Sequence, residues 1–248
     1  MSLKILLCGA GGRMGQAISS IAENHGCSVT YPVDLGDDPA DGIASCDVVI
    51  DFSLREATLP LARLSAEHGK PMVIGTTGHD SAEKVEIERI SSNIAMVWAG
   101  NFSTGVNLLF YLTEQASRVL DLESDFDPEV IEMHHRLKKD APSGTAERLL
   151  EIIKDSRGLG DSNVAHGRSG MVGERPLQEI GSHALRGGDV VGDHTVMFAG
   201  IGERIELTHR ATDRKIFAAG ALRAAKWVLS RNPGLYSMQD VLGLSSPS

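Results

Sequence analysis

Short, unbroken apolar runs recur through the first hundred residues, from Leu3 to Cys8, then "SVTYPVD" ending at Asp34, "DVVIDFS" over 47–53, "PMVIGTTG" over 71–78 and "IAMVWAGNFS" over 94–103. Each run is strand-length and closes on glycine or polar turn residues, the pattern of strands buried on both faces. Between them the apolar positions change to helical spacing, as with Met14, Ile18 and Ile21 after the first run. Strands alternating with helices in this way predict a parallel sheet with helices packed on it.

The second half has a different rhythm. Val106 to Leu120 keeps helical spacing, "PEVIEMHH" alternates with period two, and "DAPSGTAERLLEIIK" reads as a capped helix with Leu149, Leu150 and Ile153 on its buried face. Three alternating stretches then follow between glycine turns, "QEIGSHALR", "GDVVGDHTVMFAG" and "GERIELTHRA". They predict a mixed sheet with one face under helices and the other available for subunit contacts. The amphipathic "KIFAAGALRAAKWVL" offers Phe217, Ala218, Leu222, Ala225 and Val228 for packing back on the first half. The expected fold is therefore α/β, an N-terminal Rossmann-like parallel sheet plus an α+β C-terminal domain with a mixed sheet. The boundary is expected near Ser103, with 1–103 and 216–248 forming one domain and 104–215 the other.

Composition narrows the partners. The 248 residues are 42% hydrophobic and carry a net charge of −9, which disfavours a long contact with a nucleic-acid backbone. Cys8, Cys27 and Cys46 lack metal-ligand spacing and read as reduced, buried small residues, as expected in the cytoplasm. The apolar stretch in "MSLKILLCGAGG" is too short for a signal peptide or a membrane span, so no membrane association is expected.

The first candidate chemistry is the glycine turn "GAGGRMG" between the first strand and its helix. Gly9 permits the tight turn, Gly11 and Gly12 let backbone approach a pyrophosphate, and the following helix points unpaired N–H groups at it. Gly15 falls one place later than in the commonest dinucleotide fingerprint. Asp34, at the end of the second strand, stands where a ribose-binding acid is expected. Leu35 follows it, with no arginine nearby for a 2′-phosphate, which favours NADH over NADPH. In such a sheet the ligand lies outside the carboxyl ends of the strands, which puts Phe52, Gly75, Thr76, Thr77, Ala99, Gly100, Asn101 and Phe102 on the cofactor's path. Thr76 and Thr77 also suit helix caps.

The second candidate is "HHRLKKDAPSGT", residues 134–145. If the strand continues through it, His134 and His135 point to opposite faces and do not chelate one ion, and no other Cys or His cluster supports a metal site. Ser143, Gly144 and Thr145 open a helix, whose N-terminal amides form an anion site beside the positive charge of Lys138. Residues for protonation, anion binding and a turn thus meet in one segment.

With both halves read, the sequence resembles the dihydrodipicolinate reductase family from end to end, through "GAGGRMG", "VIGTTG", "NFSTGVN", "EMHHRLKKDAPSGTA", "GDVVGDHTVMFAGIGERIELTHRA" and "YSMQDVLGL". The resemblance implies an NADH- or NADPH-dependent reductase of a cyclic imine dicarboxylate in lysine and diaminopimelate synthesis. It implies His134 as an active-site proton donor or acceptor and Lys138 as the proton donor to the reduced substrate. His135, Ser143, Gly144 and Thr145 would bind the substrate. Gly9, Ala10, Gly11, Gly12, Arg13, Met14, Asp34, Gly75 to Thr77 and Ala99 to Phe102 would bind the cofactor. A homotetramer assembled through the second domain's sheets is implied too. The chain departs from some members at Asp34, where they carry glutamate followed by arginine, and at Arg55, which lies one place later than their arginine. Semialdehyde dehydrogenases need a nucleophilic cysteine, and no cysteine follows Cys46. The alternative from another class is a redox sensor that binds NADH without turnover.

Overall fold

A computed structural model describes residues 2–121, 123 and 125–244. Met1 and residues 245–248, which the expected domain bounds include, lie outside them. In chain order the elements are β1 (Leu3–Cys8), α1 (Arg13–Ile21), β2 (Cys27–Val33), α2 (Ala40–Ile43), β3 (Val48–Asp51), α3 (Arg55–Glu67), β4 (Met72–Ile74), α4 (Ser81–Ser91), β5 (Ala95–Trp98) and α5 (Thr104–Val119). There follow β6 (Asp127–His134), α6 (Gly144–Arg157), β7 (Val164–His166), β8 (Ile180–Arg186), β9 (Gly192–Gly200), β10 (Glu203–Ala211), α7 (Lys215–Val228), β11 (Gly234–Tyr236) and α8 (Met238–Leu242). The chain divides into two compact units, one made of residues up to Thr104 and from Arg214 onward, the other of Gly105–Asp213.

The first unit is a six-stranded, wholly parallel sheet in the order β11-β5-β4-β3-β1-β2. Its apolar runs are continuous because both faces are covered. Ile5, Leu7, Ile50, Val73 and Val97 pack with Ile18 of α1 and with Ala218, Ala221 and Leu222 of α7. Leu6, Val49, Met72, Ile74 and Met96 form the opposite layer with Leu61 of α3 and with Ile87 and Ile90 of α4. The order reverses at β1, which lies between β2 and β3, and ligand crevices of open α/β sheets form at such a reversal. The edge strand β11 and helix α8 were not expected from sequence. Gly234-Leu235-Tyr236 is too short and too mixed to announce itself, and only its pairing with Ala95–Val97 makes it a strand.

The second unit is a five-stranded mixed sheet in the order β10-β9-β6-β8-β7. β6 alternates strictly between buried and half-buried positions. Val130 joins Val196, Phe198 and Ile180 beneath Leu109 and Phe110 of α5 and Leu149, Leu150 and Ile153 of α6. The opposite face carries Ile131, Met133, Met197 and Leu185, half-buried or exposed, with no helix of the described residues packed on it. "GDVVGDHTVMFAG" is a strand only from Gly192, since its first four residues belong to the turn after β8.

Candidate active site

The nucleotide end of the site is built by the turn from β1 into α1. Gly9 has φ 78°, in the region glycine favours, and a side chain there would overlap the Phe52 carbonyl. Buried Gly15, one turn into α1, lies so close to the Gly9 and Ala10 backbone that a Cβ would overlap the Gly9 carbonyl oxygen. No side chain caps α1 at Gly12, so its first amides are left to solvent or to an anion. The Gly9 and Ala10 amides donate to the Val33 carbonyl (2.9 and 3.3 Å), which ties the turn to the end of β2. There Asp34 accepts the Gly11 amide at 2.8 Å through Oδ2.

These turns, the segment after β2 and helix α3 enclose a cleft of about 780 Å³, room for a nucleotide's adenosine end. Gly9, Gly12, Asp34, Leu35, Phe52, Leu54, Ala57 and Leu61 are among the residues lining it, together with Asp37, Asp38 and Arg63. Its β3 side is held by Asp51, a fully buried carboxylate that accepts from the Ser53 amide (2.9 Å), the Ser53 hydroxyl (2.5 Å) and the Thr58 hydroxyl (2.7 Å). The cleft therefore fits a dinucleotide cradle.

The turns after β3, β4 and β5 come together at the same end of the sheet. The Phe52 ring fills the space a side chain at Gly75 would need and stands 5.5 Å from the Phe102 ring, centroid to centroid. Gly220 of α7 lets that helix meet the Phe102 carbonyl directly. Phe102 is 2% exposed, so it offers a ligand backbone rather than ring, and Ala99, Gly100 and Asn101 precede it along the same turn. Thr76 is buried with its hydroxyl unpartnered, while Thr77 is exposed. Neither caps a helix: α4 starts at Ser81 behind Asp80, in a capping box with Glu83. Arg55 is engaged by that box, pairing with Asp80 at 2.5 Å and Glu83 at 2.6 Å.

The second unit gathers the protonic residues at the carboxyl end of β6. Alternation puts Glu132 and His134 on the helix-covered face, 2% and 8% exposed, while His135 follows the strand's end. His134 Nδ1 lies 2.5 Å from Glu132 Oε2. Arg186, from the end of β8, donates to both oxygens of that carboxylate, Nη1 to Oε2 at 2.9 Å and Nη2 to Oε1 at 2.8 Å. The Ser143 amide adds a bond to Oε1 at 3.1 Å. His194 of β9 packs edge-on against His134, with centroids 5.1 Å apart, and its Nε2 lies 3.3 Å from the Ser143 hydroxyl. That hydroxyl also caps α6 by accepting the Ala146 amide. Lys138 Nζ reaches Asp140 at 2.8 Å, and Arg186 donates to the Asp140 carbonyl at 2.6 Å, so one guanidinium connects the histidine pair to the lysine loop.

Charge in this cluster is set by burial first. Desolvation pulls His134 below its ordinary range, with Lys138 and Arg186 acting the same way, and the Glu132 carboxylate offsets only part. Burial, then the neighbouring His134, pushes His194 down to about 3, so this imidazole is neutral. Burial alone would raise Glu132, but Arg186 and His134 outweigh it and hold the carboxyl below its usual range. In front of α6, a side chain at Gly144 would meet nothing within 4 Å. This open helix start beside Lys138 can take a carboxylate.

The structure thus brings His134, Lys138, Ser143, Gly144 and Thr145 to the end of β6 and the start of α6, with the buried His135 Nδ1 unpartnered beside them. Gly9, Gly12 and Asp34 line the first cleft and Gly11 is bonded to Asp34, whereas Ala10, Arg13 and Met14 lie in the same turn and helix start without being among the lining residues. Sequence reasoning missed Glu132, Arg186 and His194 in one unit and Asp51 in the other. One signal was present: Glu132 is two residues before His134 on a strand, hence on the same face.

Comparison with known proteins divides the chain at the same first boundary, near residue 104, while the second profile runs on through residues from Arg214 that belong to the first unit. The profile of the dihydrodipicolinate reductase N-terminus matches residues 3–102, and that of its C-terminus matches residues 105–242. The 4-hydroxy-tetrahydrodipicolinate reductase of Akkermansia muciniphila is 52% identical over 246 residues, covering 98% of this chain and 99% of that protein. The enzyme of the same name from Halorhodospira halophila is 45% identical over 269 residues, covering 98% and 100%. Among solved structures, a dipicolinate-bound dihydrodipicolinate reductase from Paenisporosarcina sp. TG-14 has the same fold, with a TM-score of 0.75 at 22% identity over 97% of this chain and 99% of that one.

Proposed function

The chain belongs to the dihydrodipicolinate reductase family, and from that premise we propose that it reduces 4-hydroxy-tetrahydrodipicolinate to tetrahydrodipicolinate in lysine and diaminopimelate synthesis. The observation that carries the reading is the open start of α6 beside Lys138 and His134, a dicarboxylate site with proton donors, in a chain whose other unit carries a nucleotide cleft. A redox sensor would use the cleft and leave the cluster at the end of β6 without a task.

When bound, the reduced nicotinamide supplies a hydride, two electrons with one hydrogen. The chain's residues do the rest. His135 and the amides at Gly144 and Thr145 hold the carboxylates and orient the ring. Lys138, with His134 close by along the chain, delivers the proton that the reduced ring takes up. In balance, one hydride and one proton enter the substrate and its hydroxyl leaves as water. The chain's net charge of −9 does not oppose a dianionic substrate, because Arg136, Lys138, Lys139 and the helix amides set the local field.

We also propose a preference for NADH. Asp34, Asp37 and Asp38 line the cleft where a 2′-phosphate would lie, Arg55 is paired with Asp80 and Glu83, and Arg63 is paired with Glu86 at 3.0 Å. A 2′-phosphate, close to dianionic at neutral pH, would meet repulsion beside Asp34. The test follows loss of reduced-nicotinamide absorbance with the freshly formed imine and either cofactor. NADH is expected to give the higher kcat/KM, and Asp34→Asn to narrow the ratio about tenfold, or about 1.4 kcal/mol. A ratio unchanged in Asp34→Asn would remove Asp34 from cofactor choice. No imine-dependent loss with either cofactor would remove the reaction.

For assembly, the uncovered face of the second sheet, with Ile131, Met133, Met197 and Leu185, supports a homotetramer joined through that face, and the three free, buried cysteines suit the reducing cytoplasm.

A further inference from the structure

We infer that Glu132 is a positioning residue: clamped by Arg186 and the Ser143 amide, it takes the Nδ1–H of His134 and leaves Nε2 as the ring nitrogen that exchanges a proton in the reaction. The inference rests on His134 handling a proton in the proposed reduction.

The geometry is that of a carboxylate–imidazole pair on β6, clamped from β8 and from the start of α6. Glu132 Oε2 is shared between His134 Nδ1 at 2.5 Å and Arg186 Nη1 at 2.9 Å, while Oε1 takes Arg186 Nη2 and the Ser143 amide. A buried carboxylate that needed only charge balance would be satisfied by the two-pronged guanidinium. The additional bond to Nδ1 goes further, because it decides which ring nitrogen carries the hydrogen. The His134 ring makes no other hydrogen bond among the described residues, so Nε2 is left unengaged by the chain.

Two neighbours protect the arrangement. Gly192 of β9 faces the free edge of the ring, and a Cβ there would stand 3.0 Å from His134 Nε2, so the glycine keeps that edge clear. His194, neutral and edge-on, occupies the adjacent side without adding a competing charge and meets the Ser143 hydroxyl, whose backbone amide grips Glu132. The charged and titratable groups around His134 are Glu132 on its own strand, Arg186 on β8, His194 on β9, and Lys138 with its partner Asp140 in the following loop. Glu132 is the anion in direct contact with the ring. Its neutralisation therefore lowers the proton affinity of His134.

The test is a long-range proton–nitrogen spectrum of the native protein labelled with 15N-histidine, with His134 assigned by its loss in His134→Asn. The expected result is the Nδ1–H tautomer at neutral pH. In Glu132→Gln the His134 ring should titrate at lower pH and lose its single tautomer, and kcat should fall about 10- to 100-fold with the KM for the imine within about threefold. A native ring protonated on Nε2 would overturn the inference, and that reading does not depend on Glu132→Gln folding. So would a Glu132→Gln protein that keeps native tautomer, titration and kcat. The tautomer is read without turnover: a native enzyme that does not reduce the imine would count against the reaction, and a wrong tautomer against Glu132.

Discussion

Lys138→Ala is expected to lower kcat about 100- to 10,000-fold while leaving NADH affinity within about twofold. Lys138 is the cation of the "HHRLKKDAPSGT" segment that the structure holds in place, through Asp140 at 2.8 Å and through Arg186 on the Asp140 carbonyl. A positioned acid is worth about 3 to 5 kcal/mol of barrier when a reduced ring must be protonated as hydride arrives. The Lys138 side chain is engaged by Asp140 and makes no bond to the nucleotide turn, so NADH affinity is expected to change little. The KM for the dianionic substrate should rise as well, because a full positive charge is lost beside the open helix start at Gly144. Steady-state kinetics together with direct NADH titration separate these effects. A Lys138→Ala enzyme turning over at the native rate would assign the proton to another group.

The second large effect is expected at Gly15. Gly15→Ala should weaken NADH binding about 10- to 100-fold, because overpacking against backbone costs about 1–3 kcal/mol and here falls on the turn that faces the pyrophosphate. The added methyl overlaps the Gly9 carbonyl and crowds Ala10, neither of which can rotate away as a side chain would. α1 cannot retreat either, since Ile18 and Ile21 are packed in the layer that holds Ala218, Ala221 and Leu222 of α7. The turn must move, with the Gly9 and Ala10 amides that tie it to Val33 and the Gly11 amide that meets Asp34. Calorimetric titration of NADH reads the effect, and circular dichroism verifies that the variant is folded. Native affinity in Gly15→Ala would mean that the turn has slack the packing does not reveal.

Sequence made the first unit legible because parallel strands buried on both faces read as unbroken apolar runs. Leu3–Cys8 and Val48–Asp51 need no partner to be recognised. β11 and β7 have three residues each and become strands through pairing with β5 and β8, information absent from their own composition. The site divides along the same line. His134, Lys138 and the cap at Ser143 lie within ten residues of one another, so local chemistry exposed them. Arg186 and His194 come 52 and 60 residues after His134 in the chain, and only the register of β8 and β9 against β6 delivers them to Glu132. Glu132 was within reach of period-two reasoning, but a charged residue on a buried face is recognised as functional only when its partners are known. Leu35 and the engaged Arg55 illustrate the converse. The sequence suggested an NADH preference from what Leu35 lacks, and the structure adds that Arg55 is committed to Asp80 and Glu83.

The proposed function rests on hydride transfer to the cyclic imine. Its most direct test uses NADH deuterated on the transferable position of C4, native protein and the imine made fresh from pyruvate and aspartate semialdehyde, with mass spectrometry of the product. The expected product is tetrahydrodipicolinate carrying one deuterium, formed in step with NAD⁺. Unlabelled product, or no product from protein that still binds NADH, would contradict it.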